Sequence, residues 1–83
     1  MFDHWTNEEL VELIMEPQAL VFAEEELAVL IELAGRDISA SLLSRIRNKI
    51  SCSRLEYDIR ESLFVNGDWA AVHSVRALIR NEN

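Results

Sequence analysis

The sequence contains few of the residues that mark disulfide-rich, metal-binding or membrane-spanning proteins. Its 83 residues include one cysteine, Cys52, and one proline. A single cysteine excludes an internal disulfide and favours a reducing compartment. The start of the chain lacks the basic segment of a secretory signal, and unbroken apolar runs reach only five residues, far below the roughly twenty that span a bilayer. We therefore expect a cytoplasmic protein with no membrane contact.

Basic residues are missing from the first 35 positions. That stretch contains nine carboxylates and no Lys or Arg, whereas residues 36–83 carry all eight basic residues and six acids. The net charge of −7 is thus the sum of −9 in the first part and +2 in the second. Such segregation indicates either a charged partner or pairing between the two parts of the chain.

Apolar residues make up 49% of the chain, which is too many for a disordered acidic tail. A chain of 83 residues is long enough for one core but not for two. No stretch alternates in the manner of a strand. The sequence therefore predicts an all-α fold, a compact bundle of four or five short helices forming a single domain over residues 1–83. The high apolar content also favours self-association, and we expect a homodimer.

The first helix has a start signal and a stop signal. Thr6 and Glu9 have the spacing of a capping box, in which each side chain accepts a hydrogen bond from the other residue's backbone. Pro17 disfavours helix at the residue before it, so the helix should end near Met15. The segment that follows, residues 18–22, is either a loop or an early turn.

The second helix is predicted from about Ala23 to a stop at Gly35. Its first turn holds three glutamates, which suit the positive end of the helix dipole. From residue 27 to residue 34 only Glu32 is polar. A helix that is apolar nearly all round is typical of a bundle centre or a subunit interface.

The third helix is predicted after Asp37 or Ser39, either of which can cap it. The outward face carries basic and polar residues. Apolar residues at helical spacing mark the inward face: Ile38, Leu42, Leu43, Ile46 and Ile50.

Two more helices are predicted in the last third of the chain. A second capping-box pattern at residues 53–56 predicts the start of the fourth helix, with Leu55, Ile59 and Leu63 facing inward. Residues 66–68, Asn-Gly-Asp, have the composition of a tight helical corner. The fifth helix should cover about Trp69 to Arg80 and bury four residues: Trp69, Val72, Val75 and Ile79.

No pattern in the chain specifies a reaction, a cofactor or a metal. Cys52 could act as a nucleophile only beside His4 or His73, and nothing in the spacing brings them together, so we expect Cys52 in the core or at a helix boundary. His4 and Glu8 are too few ligands for a metal site. We expect His73 to pack under Trp69. The protein is therefore predicted to have no catalytic activity and no cofactor.

A basic cluster in the third and fourth helices raises the possibility of nucleic-acid binding. It comprises Arg45, Arg47, Lys49, Arg54 and Arg60, and the two helices could form a helix-turn-helix pair. The pI of about 4.7 and the neighbouring acids oppose phosphate binding, so nucleic acid is an unlikely ligand. A simpler interpretation is that these arginines pair with the acids, within the bundle or across a dimer interface.

Glu8, Glu12 and Glu16 follow one face of the first helix, and local structure does not require them there. One interpretation is that they imitate the phosphates of a nucleic acid and block a protein that handles DNA or RNA. Phosphates lie closer together along one strand than glutamates along one helix, so a second helix would have to contribute Glu25 and Glu32. An acidic face that is merely solvated is the simpler alternative.

The sequence as a whole favours a small protein-binding module, such as a regulator, inhibitor or adaptor, whose partner has a basic surface. Acids would steer the partner, apolar helix surfaces would supply contact area, and arginines would fix orientation. A nucleic-acid mimic and a helix-turn-helix regulator are the alternatives. The predicted partner-binding residues are Glu8, Glu12, Glu16, Glu25, Glu32, Arg45 and Arg47.

Overall fold

The computed structural model describes residues 2–17, 19–62 and 67–80. Within these ranges the protein consists of helices and connections without strands, which confirms the predicted all-α bundle. None of the described helices is long and apolar enough to cross a membrane. There are five: α1 (Asn7–Met15), α2 (Ala23–Ala34), α3 (Ala40–Lys49), α4 (Cys52–Glu61) and α5 (Trp69–Arg80).

The described helices share one apolar core. α2 packs against α1, α4 and α5, which confirms its predicted central position, and α5 also contacts α3 and α4. α1 closes the bundle by packing against α2 and α3. Leu27, Leu30 and Leu33 of α2 are fully buried, and each such side chain stabilises the fold by about 1.5–3 kcal/mol relative to exposure.

The capping box at the start of α1 is present as predicted. The Thr6 backbone N–H donates to Glu9 Oε1 at 2.9 Å, and the Glu9 N–H donates to Thr6 Oγ1 at 3.1 Å. The helix ends at Met15, two residues before Pro17. Leu10, Val11 and Ile14 face the core.

The predicted bounds of α2 are also confirmed. Its C-cap is Gly35, with φ −86° and ψ 0°, so this glycine stops the helix without adopting a left-handed conformation. At the other end the N-cap is Phe22, which provides no side-chain hydrogen bond to the first turn. α2 therefore begins with an aromatic side chain at a position where a polar capping residue is common.

Ser39, and not Asp37, caps α3, since Ser39 Oγ accepts a hydrogen bond from the Leu42 N–H at 3.4 Å. The predicted inward face is confirmed. Its members are buried or half-buried: Ile38, Leu42, Leu43, Ile46 and Ile50.

The predicted start of α4 at Ser53 is wrong by two residues. Ser51 is the N-cap, and its Oγ accepts from the Arg54 N–H at 3.1 Å. The reason is that the buried Ile50, the C-cap of α3, is already extended, and Ser51 follows it as an extended residue whose hydroxyl can cap the next helix. Cys52 becomes the first helical residue and is exposed, which places it at a boundary but not in the core.

The corner before α5 is confirmed for its two described residues. Gly67 has φ +65°, and Asp68 Oδ1 accepts from the Ala71 N–H at 3.1 Å. Asn66, and the predicted inward residue Leu63, lie outside the described residues. Val72, Val75 and Ile79 are buried as predicted.

The predicted burial of Trp69 is wrong, because its side chain is 55% exposed. Trp69 is the first residue of α5 and lies beside Gly67 and Ile59 at the edge of the core. A large indole at that position extends past the end of the packed helices. His73, one turn later, is also exposed, so the expected packing beneath Trp69 is not found.

Candidate functional site

Four exposed glutamates and one tryptophan form a continuous surface on and beside α1. We call it the acidic face: Trp5, Glu8, Glu9, Glu12, Leu13 and Glu16. These residues line a shallow depression of about 340 Å³, and none of them is basic. Trp5 is 39% exposed, so an aromatic surface lies among the carboxylates.

The glutamates of the acidic face have different local roles. Glu9 belongs to the capping box, and Glu12 Oε1 accepts from Arg45 Nη2 of α3 at 2.6 Å. This pair joins two of the predicted partner-binding residues, but both side chains are largely exposed, and such pairs contribute only about 0.2–1 kcal/mol. Within the described part of the chain, Glu8 and Glu16 form no ion pair.

The other predicted acids, Glu25 and Glu32, have different surroundings. Glu32 accepts from Arg36 Nε at 2.9 Å and is partly buried. Glu25 is exposed in the first turn of α2 and lines a depression with Phe2 and Leu13, and Leu13 also lines the depression of the acidic face. Of the five glutamates that the mimic hypothesis uses, Glu12 and Glu32 are therefore paired with arginines of this chain.

Arg36 has a positioning role that the sequence patterns did not reveal. Its Nη2 donates to the Phe2 carbonyl at 2.7 Å, and its Nη1 donates to the Trp5 carbonyl and to Asn7 Oδ1 at 3.2 Å. With Glu32 holding Nε, one guanidinium fixes the N-terminal segment to the end of α2. In the sequence, the only sign of this role was that Glu32 and Arg36 lie four residues apart, which is the spacing of an ion pair on one helix face.

Most arginines of the predicted basic cluster are engaged within the bundle. Arg45 pairs with Glu12, and Arg47 Nε donates to the Leu78 carbonyl of α5 at 2.8 Å. Arg54 donates to both carboxylate oxygens of Glu26, at 3.2 and 3.0 Å. These contacts favour the interpretation that the arginines pair with the acids of the same chain.

The same interpretation extends to α4 and α5. Arg76 donates to both oxygens of Glu56, at 2.8 and 3.1 Å, and these hydrogen bonds lower the pKa of the Glu56 carboxyl. α3 and α4, although consecutive, do not pack against each other. The packed pair of a helix-turn-helix motif is thus missing from these two helices.

Sequence reasoning missed a buried acidic cluster between α2 and α4. Asp58 is only 2% exposed, and its Oδ1 lies 4.0 Å from Arg54 Nε. Burial raises the pKa of the Asp58 carboxyl to about 7, with a further contribution from the Glu26 carboxylate and an opposing one from Arg54. The sequence sign of this burial was the position of Asp58, which follows the buried Leu55 by three residues and therefore lies on the inward side of α4.

A groove of about 580 Å³ opens above this cluster; we call it the α2–α4 groove. One wall is the chain entering α2, and the other is a face of α4. The lining residues are Leu20, Val21, Phe22, Ala23, Glu24, Arg54, Tyr57, Asp58 and Glu61.

The residues considered for catalysis or metal binding are not assembled into a site. Cys52, His4 and His73 are all exposed. Among the described residues, no group of three or more His, Cys, Asp or Glu side chains is placed to hold a metal ion.

Comparisons with protein-family models, with curated proteins and with solved structures gave no match to this chain.

Proposed function

We propose that this protein is a non-enzymatic binding module whose acidic face docks onto a basic surface of another protein. The observation that carries the proposal is the placement of Trp5 among exposed glutamates, with no basic residue lining the depression between them. Tryptophan is the residue type that most often anchors a protein interface, and surrounding carboxylates attract a cationic partner.

The local roles of the glutamates support this assignment. Glu8 and Glu16 lie at opposite ends of the depression and do not contribute to the capping box or the ion pair with Arg45. Their charges are therefore available to a partner. Arg36 holds the backbone of Trp5 in place, so the anchor needs little further ordering on binding.

The regulator, inhibitor and adaptor roles share this mode of action, in which the module occupies a partner's surface. A cytoplasmic location is part of the proposal, supported by the single cysteine thiol, Cys52. A homodimer is also proposed, on the strength of the apolar content.

Charge removal at the two available glutamates tests the proposal. The partner captured from the native host would be purified and its association rate measured across a salt series. We expect Glu8→Gln with Glu16→Gln to slow association by about tenfold at low salt and to flatten the salt dependence. Trp5→Ala should instead raise the dissociation rate, because it removes the anchor.

The matched control is Asp3→Asn with Asp37→Asn, which removes the same charge from two exposed positions that line neither the acidic face nor the α2–α4 groove. Circular dichroism would verify that every variant folds. Equal slowing by both double variants would mean that only net charge matters, and unchanged association of the Glu8 and Glu16 variant would exclude the acidic face.

A further inference from the structure

Three of the five large apolar side chains that the described part of the chain leaves exposed line the α2–α4 groove. Phe22 is 62% exposed, Val21 is 76% exposed and Tyr57 is 55% exposed. Phe22 and Val21 lie on the segment entering α2, whereas Tyr57 lies on α4, so the aromatic rings belong to opposite walls. Aromatic faces attract cations as well as apolar groups.

The groove carries a negative charge that the protein does not neutralise. Its lining includes the carboxyl groups of Glu24, Glu61 and Asp58, and one basic residue, Arg54. Arg54 directs both Nε and Nη2 to Glu26, so its charge is already matched. A cation entering the groove would therefore meet an excess of carboxylates.

Asp58 belongs to the floor of the groove and interacts with Glu26. It lines the groove, and it is 98% removed from solvent. A side-chain hydrogen bond to Glu26 helps to raise its pKa, so this carboxyl is held within the protein. The charges that face a ligand in the groove are therefore those of the exposed Glu24 and Glu61.

We propose that the α2–α4 groove is a docking site for a basic peptide segment, which inserts a lysine or arginine side chain between Phe22 and Tyr57. The carboxylates of Glu24 and Glu61 attract the segment and pair with its cationic group. This site is separate from the acidic face of α1, and neither depends on the other. The structure thus offers two surfaces for cationic partners on one small bundle.

The test uses a short blocked peptide with one central lysine flanked by leucine and alanine. Titration is followed by the backbone amide chemical shifts of the full chain. We expect shifts at Phe22, Glu24, Tyr57 and Glu61. The same peptide with acetyl-lysine should leave these amides unmoved, because acetylation removes the charge.

Variants separate the contributions and the two surfaces. Tyr57→Ala should weaken binding of the lysine peptide by about fivefold, and Glu24→Gln with Glu61→Gln should weaken it by about tenfold at low salt. Glu8→Gln with Glu16→Gln should leave the affinity unchanged, so this proposal and the proposed function fail or survive separately.

Four results would overturn the proposal. The acetyl-lysine peptide could shift the same amides, which would mean an apolar ligand. Butylamine could bind as tightly as the peptide, which would mean a site for a free amine. The shifts could spread equally over all acidic residues, which would mean non-specific attraction. A rise in the concentration of the chain without peptide could shift the same amides, which would mean that a second copy of this chain occupies the groove.

Discussion

At the scale of single residues, Asp58 is the least expected feature of the protein. An aspartate between Tyr57 and Ile59 reads as an ordinary polar position on an amphipathic helix. The fold instead buries it beside Glu26, and a side-chain hydrogen bond between the two carboxyl groups helps to raise its pKa. Its carboxyl has a pKa of about 7, well above the ordinary value of 3.8, mainly because burial disfavours the charged form.

This raised pKa makes folding depend on pH. Between the unfolded and folded pKa values, the folded chain holds a proton that the unfolded chain has released. The contribution of Asp58 to stability is therefore fully present at low pH and is lost as pH rises through about 7. Asp58→Asn should remove this loss, since the amide stays neutral.

The measurement is urea unfolding of wild type and Asp58→Asn at about pH 5 and about pH 8. Between these two pH values, the free energy of unfolding of Asp58→Asn should rise relative to that of the wild type by on the order of 2 kcal/mol. Glu61→Gln, which alters an exposed carboxyl on the same helix, is the control. A constant difference between Asp58→Asn and wild type would contradict a buried, protonated Asp58.

At the scale of elements, the sequence specified helices well and their boundaries less well. Start and stop signals placed α1, α2 and α5 correctly because these signals act locally: capping side chains begin α1 and α5, and three glutamates mark the first turn of α2. At α4 two serines offered the same local signal, and only the burial of Ile50 at the end of α3 selected Ser51. Capping therefore predicts a helix start only when one candidate is present.

Two alanine substitutions test the assigned start of α4. Ser51→Ala removes the cap of the Arg54 N–H and should destabilise the fold by about 1 kcal/mol. Ser53→Ala lies inside the exposed first turn, where alanine is a better helix former, and should change stability by less than about 0.5 kcal/mol. Thermal unfolding measures the loss of stability in each variant. A larger loss for Ser53→Ala than for Ser51→Ala would show that Ser53 is the cap.

At the scale of the whole molecule, charge segregation along the sequence becomes charge pairing in space. Arginines from the second part of the chain reach acids of the first, as in the Arg45–Glu12 and Arg54–Glu26 pairs. The acids left over are concentrated on the acidic face and in the α2–α4 groove. The long acidic stretch is thus partly a structural complement to the arginines and partly the surface that we propose for partners.

The proposed homodimer is a prediction at this scale. Outside the acidic face and the groove, Trp69 is the large apolar side chain that the described residues leave most exposed. We expect a light-scattering mass that rises with concentration toward twice the monomer mass of 9.6 kDa, and we expect Trp69→Ser to weaken this association. A mass that stays at that of the monomer at every concentration would rule the dimer out.

The amino-acid sequence by itself determined the helical class, the central position of α2 and most of the core, because periodicity and capping depend on residues near one another in the chain. It also marked Glu8, Glu12 and Glu16 as charges that local structure does not use, and of these Glu12 pairs with Arg45 in the fold. Only the tertiary structure decided that Arg45 pairs with Glu12 and Arg54 with Glu26, because the two members of each pair are about thirty residues apart in the chain. The tertiary structure also created the α2–α4 groove and buried Asp58, because both features arise where α2 and α4 pack together.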